Sequence, residues 1–211
     1  MLLAAIGGGS STPSWWRGGD DSIADADVDG AWQGIGAASQ SASLTDLSGN
    51  GNTLTGTVSS WNASSGWVFT GSQNLNTGIT LPPSDANITL AIRYSGAGST
   101  AYIMGLWSGS AGGLAAMQAS STLIVYNHND QKQHTSSANN GVAVLSGVLG
   151  YYNGSQVVSG FSFTDHKTTT VRIGGANGLF FSGSIQAAAI YNTNLSASQV
   201  SALSTAMAAL S

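Results

Sequence analysis

Short stretches in which apolar and polar residues alternate run through most of the chain, and turn residues separate them. Between Ile88 and Tyr94 every second residue is apolar, with Thr89, Ala91 and Arg93 in between, which predicts a strand that is buried on one side. Further strands, rich in aromatic and β-branched residues, are predicted at residues 102–107, 122–128, 169–173 and 184–191. Strands and turns that recur at such short intervals are typical of two packed antiparallel sheets.

A hairpin and a C-terminal helix have clear local signals. Asn153 and Gly154 lie between two stretches of strand-forming residues within 151–158, and an Asn-Gly pair favours the positive φ angles of a tight hairpin turn. After residue 195 the apolar spacing becomes helical, and Ser196 with Gln199 three residues later forms a capping box. The sequence therefore predicts an all-β sandwich of two antiparallel sheets that ends in a short α-helix.

Residues 1–30 differ in composition from the rest of the chain. A Gly/Ser-rich stretch at 7–13 is typical of a flexible linker, and Trp15 and Trp16 follow it among polar neighbours. We therefore expect an N-terminal arm at 1–30 and one sandwich domain at 31–211. Because an exposed Trp pair is costly without a partner, one interpretation is that Trp15 and Trp16 dock on a neighbouring subunit; the other is a disordered tail.

Several segments, taken in order, resemble the concanavalin A-like and laminin G-like domain family. The turn DLSGNGN at 46–52 is similar to the opening turn of that family, and YYNGS at 151–155 to its Tyr-x-Asn-Gly hairpin. The segment GWVFTG at 66–71, which leads to Leu75 and 77–79, is similar to its aromatic and apolar strand. The closing strands and helix of that family are resembled by four segments of this chain: IGG at 173–175, FSGSI at 181–185, IYN at 190–192 and LS at 195–196.

The resemblance covers the chain from about residue 40 to its end, and it implies a two-sheet jelly roll. In many relatives the concave face of this fold binds sugars, but the same architecture also occurs in lectins, adhesins, hydrolases and virion proteins. The Ala/Ser/Gly-rich, charge-poor composition is similar to that of domains in phage and prophage virion proteins.

Composition excludes several classes of protein. Charged residues make up 7% of the chain, its net charge is −4, and it contains no Cys. Its cations are too scattered to form a surface for nucleic acid; they are Arg17, Arg93, Lys132, Lys167 and Arg172. No apolar run approaches the roughly 18 residues of a membrane helix, so we expect no membrane partner. The apolar start at 1–6 lacks a basic leader, so we expect synthesis in a cytoplasm without secretion.

The sequence contains little of what catalysis requires. Glycoside hydrolases need two carboxylates, which on this fold are commonly Glu, and the chain contains no Glu. The Asp residues of the predicted sandwich lie far apart: Asp46, Asp85, Asp130 and Asp165. A Ser-His-Asp site would have to use His128 at a strand end, or His134 or His166 in polar loops, and no Gly-x-Ser-x-Gly elbow joins a strand to a helix. We therefore expect a protein that is not an enzyme.

One acidic segment resembles the start of a calcium loop. Asp25, Asp27 and Asp29 occupy alternate positions before Gly30, and oxygen ligands at this spacing can converge on one ion. The loop is incomplete, because Gly36 stands where a bidentate Glu belongs. A solvated acidic segment without metal is the interpretation that we favour, and calcium is the alternative cofactor.

Sugar binding needs aromatic surfaces beside amide and hydroxyl groups. Candidates at strand positions and loop edges are Trp107, Tyr126, Asn127, His128 and Tyr152. The alternative for each of them is an ordinary core or edge residue, since a sandwich of this size buries several aromatic side chains.

The leading functional hypothesis is a non-enzymatic virion structural protein. It would be a capsid-decorating or tail-associated domain on the particle surface after assembly in the host cytoplasm, with other virion proteins and copies of itself as partners and a glycan as a further ligand. The low charge, the lack of catalytic groups and the Trp15-Trp16 arm favour this hypothesis. The alternative is a carbohydrate-binding module or adhesin at a bacterial cell surface, and the third hypothesis is an esterase or glycosidase.

Overall fold

The computed structural model describes residues 14–81, 87–97, 101–106, 114–119, 122–127, 130–134, 138–160, 169–176 and 178–211. For residues 114–119, 122–127, 130–131, 133 and 176 it describes the backbone alone. The described chain forms two packed, mainly antiparallel sheets and a C-terminal helix of 12 residues, which confirms the predicted fold class.

Short strands separated by turns account for most of the described chain. In chain order the elements are β1 Val28–Gln33, α1 Gln40–Ser43, β2 Thr55–Gly56, β3 Ser60–Asn62, β4 Gly66–Thr70, β5 Leu75–Thr80, β6 Thr89–Ser95, β7 Ala101–Gly105, β8 Leu114–Ala119, β9 Thr122–Asn127, β10 Asp130–His134, β11 Gly141–Ser146, β12 Leu149–Tyr152, β13 Ser155–Val158, β14 Thr170–Ile173, β15 Gly175–Ala176, β16 Leu179–Phe180, β17 Ser182–Tyr191 and α2 Ala197–Ala208. The strands β7, β9, β14 and β17 lie within two residues of their predicted bounds, which is the ordinary uncertainty of element ends.

The strand order places sequence-distant segments side by side. The first sheet has the order β13-β12-β11-β6-β17-β4-β3, and β1 pairs with the second half of β17. The second sheet has the order β10-β9-β8-β7-β14-β5-β2, with β15 and β16 beside β7. Among the described strands, only β16 and β7 pair in parallel. No helix in the described part is both long enough and apolar enough to span a membrane.

The main hydrophobic core lies between the two sheets. Leu90, Ile92 and Tyr94 of β6 point into it, as their alternation predicts, and pack with side chains from both sheets. The ring of Phe181 meets those of Phe69 and Tyr94 edge to face, with centroids 6.2 and 6.3 Å apart. Burial of apolar side chains, these aromatic ones among them, is a large favourable contribution to folding.

A second core covers the outer face of the first sheet. Val200, Leu203 and Met207 of α2 pack there against small side chains such as Ala91 of β6 and Ala189 of β17. The capping box of α2 is present as predicted. The prediction that β6 is buried on one side only is wrong, because α2 covers its other face.

Residues 14–33 belong to the sandwich, which corrects the predicted boundary between arm and domain. Strand β1 joins the first sheet, where Ala31 pairs with Ala189. Trp15 is only 7% exposed and packs in the second core, and the hydroxyl of Tyr191 donates a hydrogen bond of 2.9 Å to the Trp16 carbonyl. The expectation of an exposed Trp pair is therefore wrong, because α2 and the first sheet of the same chain supply the apolar partner. Residues 1–13 lie outside the described residues.

The turn at 46–52 covers the free edge of β1. Asp46 Oδ1 accepts the backbone N–H of Ala31 at 3.0 Å, and the N–H of Leu47 donates to the Ala31 carbonyl at 2.7 Å. The side-chain amides of Asn50 and Asn52 donate to the carbonyls of Val28 and Asp29. Since exposed edges invite pairing with other chains, this cap keeps β1 in its own sheet.

Candidate functional site

The structure does not bring the five predicted sugar-binding residues together. Trp107 and His128 lie outside the described residues. Tyr126 and Asn127 lie near and at the end of β9 in the second sheet, where only their backbone is described, whereas Tyr152 ends β12 in the first sheet. Their common role stays a prediction.

Tyr152 is half-buried and holds neighbouring segments in place. Its hydroxyl donates a short hydrogen bond to the carbonyl of Asn140, and its ring centroid lies 5.9 Å from that of His134. Burial raises the pKa of the Tyr152 hydroxyl, so the group stays protonated as a donor. His134 ends strand β10, so the prediction that it lies in a loop is wrong.

A polar cleft opens beside Tyr152 at one end of the first sheet. It has a volume of about 280 Å³. The polar side chains that line it come from β6, the start of β11, the β12–β13 turn and β17; they are Arg93, Ser95, Asn140, Asn153 and Gln186. Ala208, the last residue of α2, lines the cleft on another side. We call this region the amide cleft.

The two Asn side chains of the amide cleft have fixed orientations. Asn140 Oδ1 accepts the backbone N–H of Gly96 at 2.7 Å, and Asn153 Oδ1 accepts the backbone N–H of Val142 at 2.9 Å. Because a backbone N–H can only donate, the atom that faces it must be the amide oxygen. The NH₂ group of Asn140 therefore remains available as a donor, while that of Asn153 also bonds the Tyr152 hydroxyl and keeps one further N–H for a ligand.

Gly141 allows the close packing behind these amides. A Cβ atom at this position would lie 2.6 Å from Asn153 Oδ1 and 2.7 Å from the Tyr152 ring. Asn153 itself has a φ of 49°, the left-handed conformation that Asn tolerates in a hairpin turn. The Asn-Gly hairpin is thus confirmed, and its Asn also forms part of the cleft.

Arg93 joins the cleft to the end of α2. Its Nη1 donates to the carbonyls of Met207 and Leu210 at 2.8 and 2.7 Å. These are carbonyls that a helix end leaves unpaired, and a cation there is favoured by the helix dipole. Burial lowers the pKa of the Arg93 guanidinium, and no described carboxylate forms an ion pair with it.

Gln186 reaches the cleft through a β-bulge. The register between β17 and β6 shifts between Ile185 and Ala187, which leaves Gln186 as the extra residue. Its carbonyl accepts the N–H groups of Gly34 and Ile35 at 2.8 and 3.1 Å, which stabilises the irregularity. Bulges often reorient a side chain beside a functional site. The Gln186 amide has no hydrogen-bond partner within the described residues, so it is free for a ligand.

The predicted calcium-loop carboxylates bind protein groups. Asp25 pairs with Arg17 at 3.0 Å, and Asp29 Oδ1 accepts the side-chain N–H of Asn192 at 2.9 Å. Asp27 closes the 3₁₀ turn Asp25–Asp27. Within the described ranges no three acidic, His or Cys side chains gather as metal ligands do. The choice between a metal-free segment and a calcium site stays a prediction from sequence.

Replacing Asp29 with Asn should raise stability slightly at neutral pH. Burial raises the pKa of the Asp29 carboxyl, with the Asn192 hydrogen bond opposing it. The folded state therefore binds the proton more tightly, and stability is lost as pH rises through the folded pKa. We expect Asp29→Asn to stabilise by less than about 1 kcal/mol at pH 7, where solvent screens the half-buried group, and to have no effect well below pH 4. Urea unfolding at both pH values, with and without Ca²⁺, measures this; strong stabilisation by Ca²⁺ that Asp29→Asn abolishes would instead reveal a metal site.

No protein-family model and no curated protein sequence matches the chain. Solved structures match its fold. Domain 4 of AbnA, an extracellular GH43 arabinanase from Geobacillus stearothermophilus in complex with arabinotriose, has a TM-score of 0.57 and 15% identity, covering 84% of this chain and 98% of that one. Trypanosoma rangeli sialidase in complex with sialic acid has a TM-score of 0.58 and 15% identity, and the match covers 96% of this chain and 35% of the sialidase. The botulinum neurotoxin serotype D binding domain has a TM-score of 0.59 and 13% identity, and the match covers 91% of this chain and 52% of the toxin domain.

These likenesses show the fold: a jelly-roll, lectin-like β-sandwich. The chain spans about a third of the sialidase and about half of the toxin domain. At such low identities a shared fold does not transfer an activity, because unrelated functions occur on one architecture.

The amide cleft contains residues that sequence reasoning placed elsewhere. The sequence predicts Asn153 as a turn residue and Arg93 as part of the polar side of a strand. Two Asn-Gly pairs, at 140–141 and 153–154, flank the β11–β12 region. They are the sequence feature that points to Asn140 and Asn153 as neighbours in one site. No sequence feature points to Gln186, since the extra residue of a β-bulge cannot be recognised from the alternation of apolar and polar residues.

Proposed function

We propose that this chain is a non-catalytic glycan-binding domain and that the amide cleft is its binding site. The observation that carries the proposal is the convergence of three amides, one hydroxyl and one guanidinium on a single concave site. Planar amides and a guanidinium form directed hydrogen bonds with the hydroxyl and ring oxygens of sugars. Support also comes from proteins of this fold: the arabinanase domain was solved with arabinotriose, and cell entry of botulinum neurotoxin type C depends on interaction with two ganglioside molecules.

The size of the cleft limits the ligand. Its 280 Å³ lies just below the range of roughly 300–1,000 Å³ that is usual for small-molecule sites. One sugar residue, held at the end of a chain, therefore suits the cleft better than an internal stretch of a polysaccharide.

The residues of the cleft favour binding without catalysis. Its described lining contains no Asp and no His, and the whole chain contains no Glu. Hydrolysis of a glycosidic bond ordinarily needs a carboxylic acid and a carboxylate on either side of that bond. Asp46, which is buried, uses both of its oxygens to accept hydrogen bonds from Ala31, Ser48 and Asn52. We therefore propose a module that holds a sugar and does not cleave it.

Replacing Gln186 with Ala is expected to weaken glycan binding by about tenfold. The variant removes a side-chain amide that no described protein group uses, and loss of a hydrogen bond to a ligand costs about 1 kcal/mol or more. A glycan array followed by calorimetry with the retained glycan measures the change. Gln40→Ala is the matched control, because Gln40 is exposed on α1 and lies outside the cleft. Absence of any retained glycan on the array, or equal binding by both variants, would refute the proposed site.

The setting of the domain stays a prediction from sequence. We propose that it is displayed on a virion surface in several copies, with a bacterial cell surface as the alternative. Low charge and the absence of Cys support either exposed setting. Mass spectrometry of purified particles, together with the solution mass of the chain, tests both parts; a monomer that is absent from particles would remove the virion assignment.

A further inference from the structure

We infer that the amide cleft recognises the carboxylate of an acidic sugar. The inference rests on the proposed function, since it names the class of ligand that the same site would take. A carboxylate on a terminal sugar occurs in hexuronic acids and in sialic acids, and its chemistry is the same in both. The distinction between these two sources belongs to the experiment.

The cleft presents donors and few acceptors. The amide oxygens of Asn140 and Asn153 each already accept a backbone N–H group, so these side chains meet a ligand mainly as donors, with one N–H of Asn153 bonded to the Tyr152 hydroxyl. Arg93 uses Nη1 for the end of α2, and neither its Nε nor its Nη2 hydrogen-bonds a described residue. A neutral sugar hydroxyl both donates and accepts, and among the polar side chains of the described lining only Ser95 and Gln186 offer it an acceptor that has no hydrogen-bond partner within the described residues. A carboxylate only accepts.

The charge of the cleft agrees with its donor pattern. Arg93 is the one charged residue among its described lining residues, and its guanidinium is partly buried without a carboxylate partner there. Burial of an unpaired cation is unfavourable, and a bound anion would compensate it. Charge-assisted hydrogen bonds from guanidinium and amide groups to a carboxylate are also stronger than neutral ones. None of the Asp side chains that the structure describes lines the cleft to oppose such a ligand.

Titration of the full chain with simple glycosides tests the inference. The probes are methyl β-glucuronide, methyl α-N-acetylneuraminide, and the neutral methyl β-glucoside and methyl N-acetyl-β-glucosaminide. We expect at least one acidic glycoside to bind about tenfold or more tightly than both neutral ones, with an affinity that falls as salt is raised. The two acidic probes separate a uronic acid from a sialic acid. The N-acetyl probe tests a neutral carbonyl acceptor.

Asn153→Asp is the decisive variant. It keeps an oxygen to accept the Val142 N–H and tolerates the positive φ at this turn, but it replaces the NH₂ donor with a second anionic oxygen. We expect the affinity for the acidic glycoside to fall at least tenfold. Asn62→Asp is the matched control: Asn62 Oδ1 also accepts backbone N–H groups, from Ser64 and Ser65, at an exposed position outside the cleft.

The outcomes separate the two proposals. If the neutral glycosides bind as tightly as the acidic ones, or if Asn153→Asp retains the acidic ligand, the carboxylate inference is wrong while the glycan site stands. If neither the array nor the titrations detect any sugar, the proposed function itself fails. Selective acidic binding that Asn153→Asp abolishes and Asn62→Asp leaves intact supports both.

Discussion

Replacing Asp46 with Ala is expected to lower the free energy of unfolding by about 3–5 kcal/mol. Asp46 Oδ1 accepts the N–H groups of Ala31 and Ser48, each at 3.0 Å, and Oδ2 accepts that of Asn52 at 3.0 Å. A buried N–H without a partner costs about 1–3 kcal/mol, and Ala would leave three of them while water re-solvates those nearest the surface. For a chain of this length the melting temperature should fall by roughly 10 °C.

Urea denaturation at constant pH measures this effect. Asp46→Asn is the graded variant: it keeps one acceptor oxygen but turns a donor toward one N–H, so its loss should lie between wild type and Asp46→Ala. Asp20→Ala is the matched control, because the exposed Asp20 accepts hydrogen bonds from the backbone and side chain of Ser22 in a similar local turn, and their loss should change stability little. Equal stability of Asp46→Ala and Asp20→Ala would show that the turn does not hold the edge of β1.

The fold class could be predicted because strand alternation and turn chemistry are local. The alternation of Leu90, Ile92 and Tyr94 depends only on which side of β6 meets the main core, and the structure confirms it. The element that covers the other side of β6 comes from a distant part of the sequence. Ala91 faces α2, which begins more than a hundred residues later, and an Ala between apolar neighbours gives no sign of this. Burial on both faces therefore could not be predicted from β6 alone.

The candidate site was less accessible to sequence reasoning, because its members meet only after folding. Arg93, Asn140, Asn153 and Gln186 come from four separate segments, which the sheet order and a bulge bring together. The five sugar-binding residues predicted from the sequence are aromatic or polar residues at strand positions and loop edges. Tyr152, whose side chain is the one of the five that the structure describes, donates a hydrogen bond to the Asn140 carbonyl. The amide oxygens of Asn140 and Asn153 point away from the cleft because they accept the backbone N–H groups of Gly96 and Val142, and no sequence motif encodes these hydrogen bonds.

Replacing Trp15 with Ala is expected to destabilise the chain by about 3 kcal/mol, the lower end of the range for a buried Trp. The indole is 7% exposed and packs with Ile23 and with Leu203 and Met207 of α2 in the second core. If residue 15 belonged to an arm that is free in solution or docked on another subunit, Trp15→Ala would not lower the stability of the single chain. Chemical unfolding of the variant therefore distinguishes an integral N-terminal segment from an arm.

Two controls make the result specific to packing. Trp15→Phe retains most of the buried ring and removes Nε1, which has no hydrogen-bond partner within the described residues, so its cost should stay near 1 kcal/mol. Trp16→Ala should cost less than Trp15→Ala, because Trp16 is only partly buried and its carbonyl still accepts from Tyr191. Unfolding should also be independent of protein concentration, since the partner of Trp15 lies in the same chain. A Trp15→Ala effect that grows with protein concentration would instead place Trp15 in an interface between subunits.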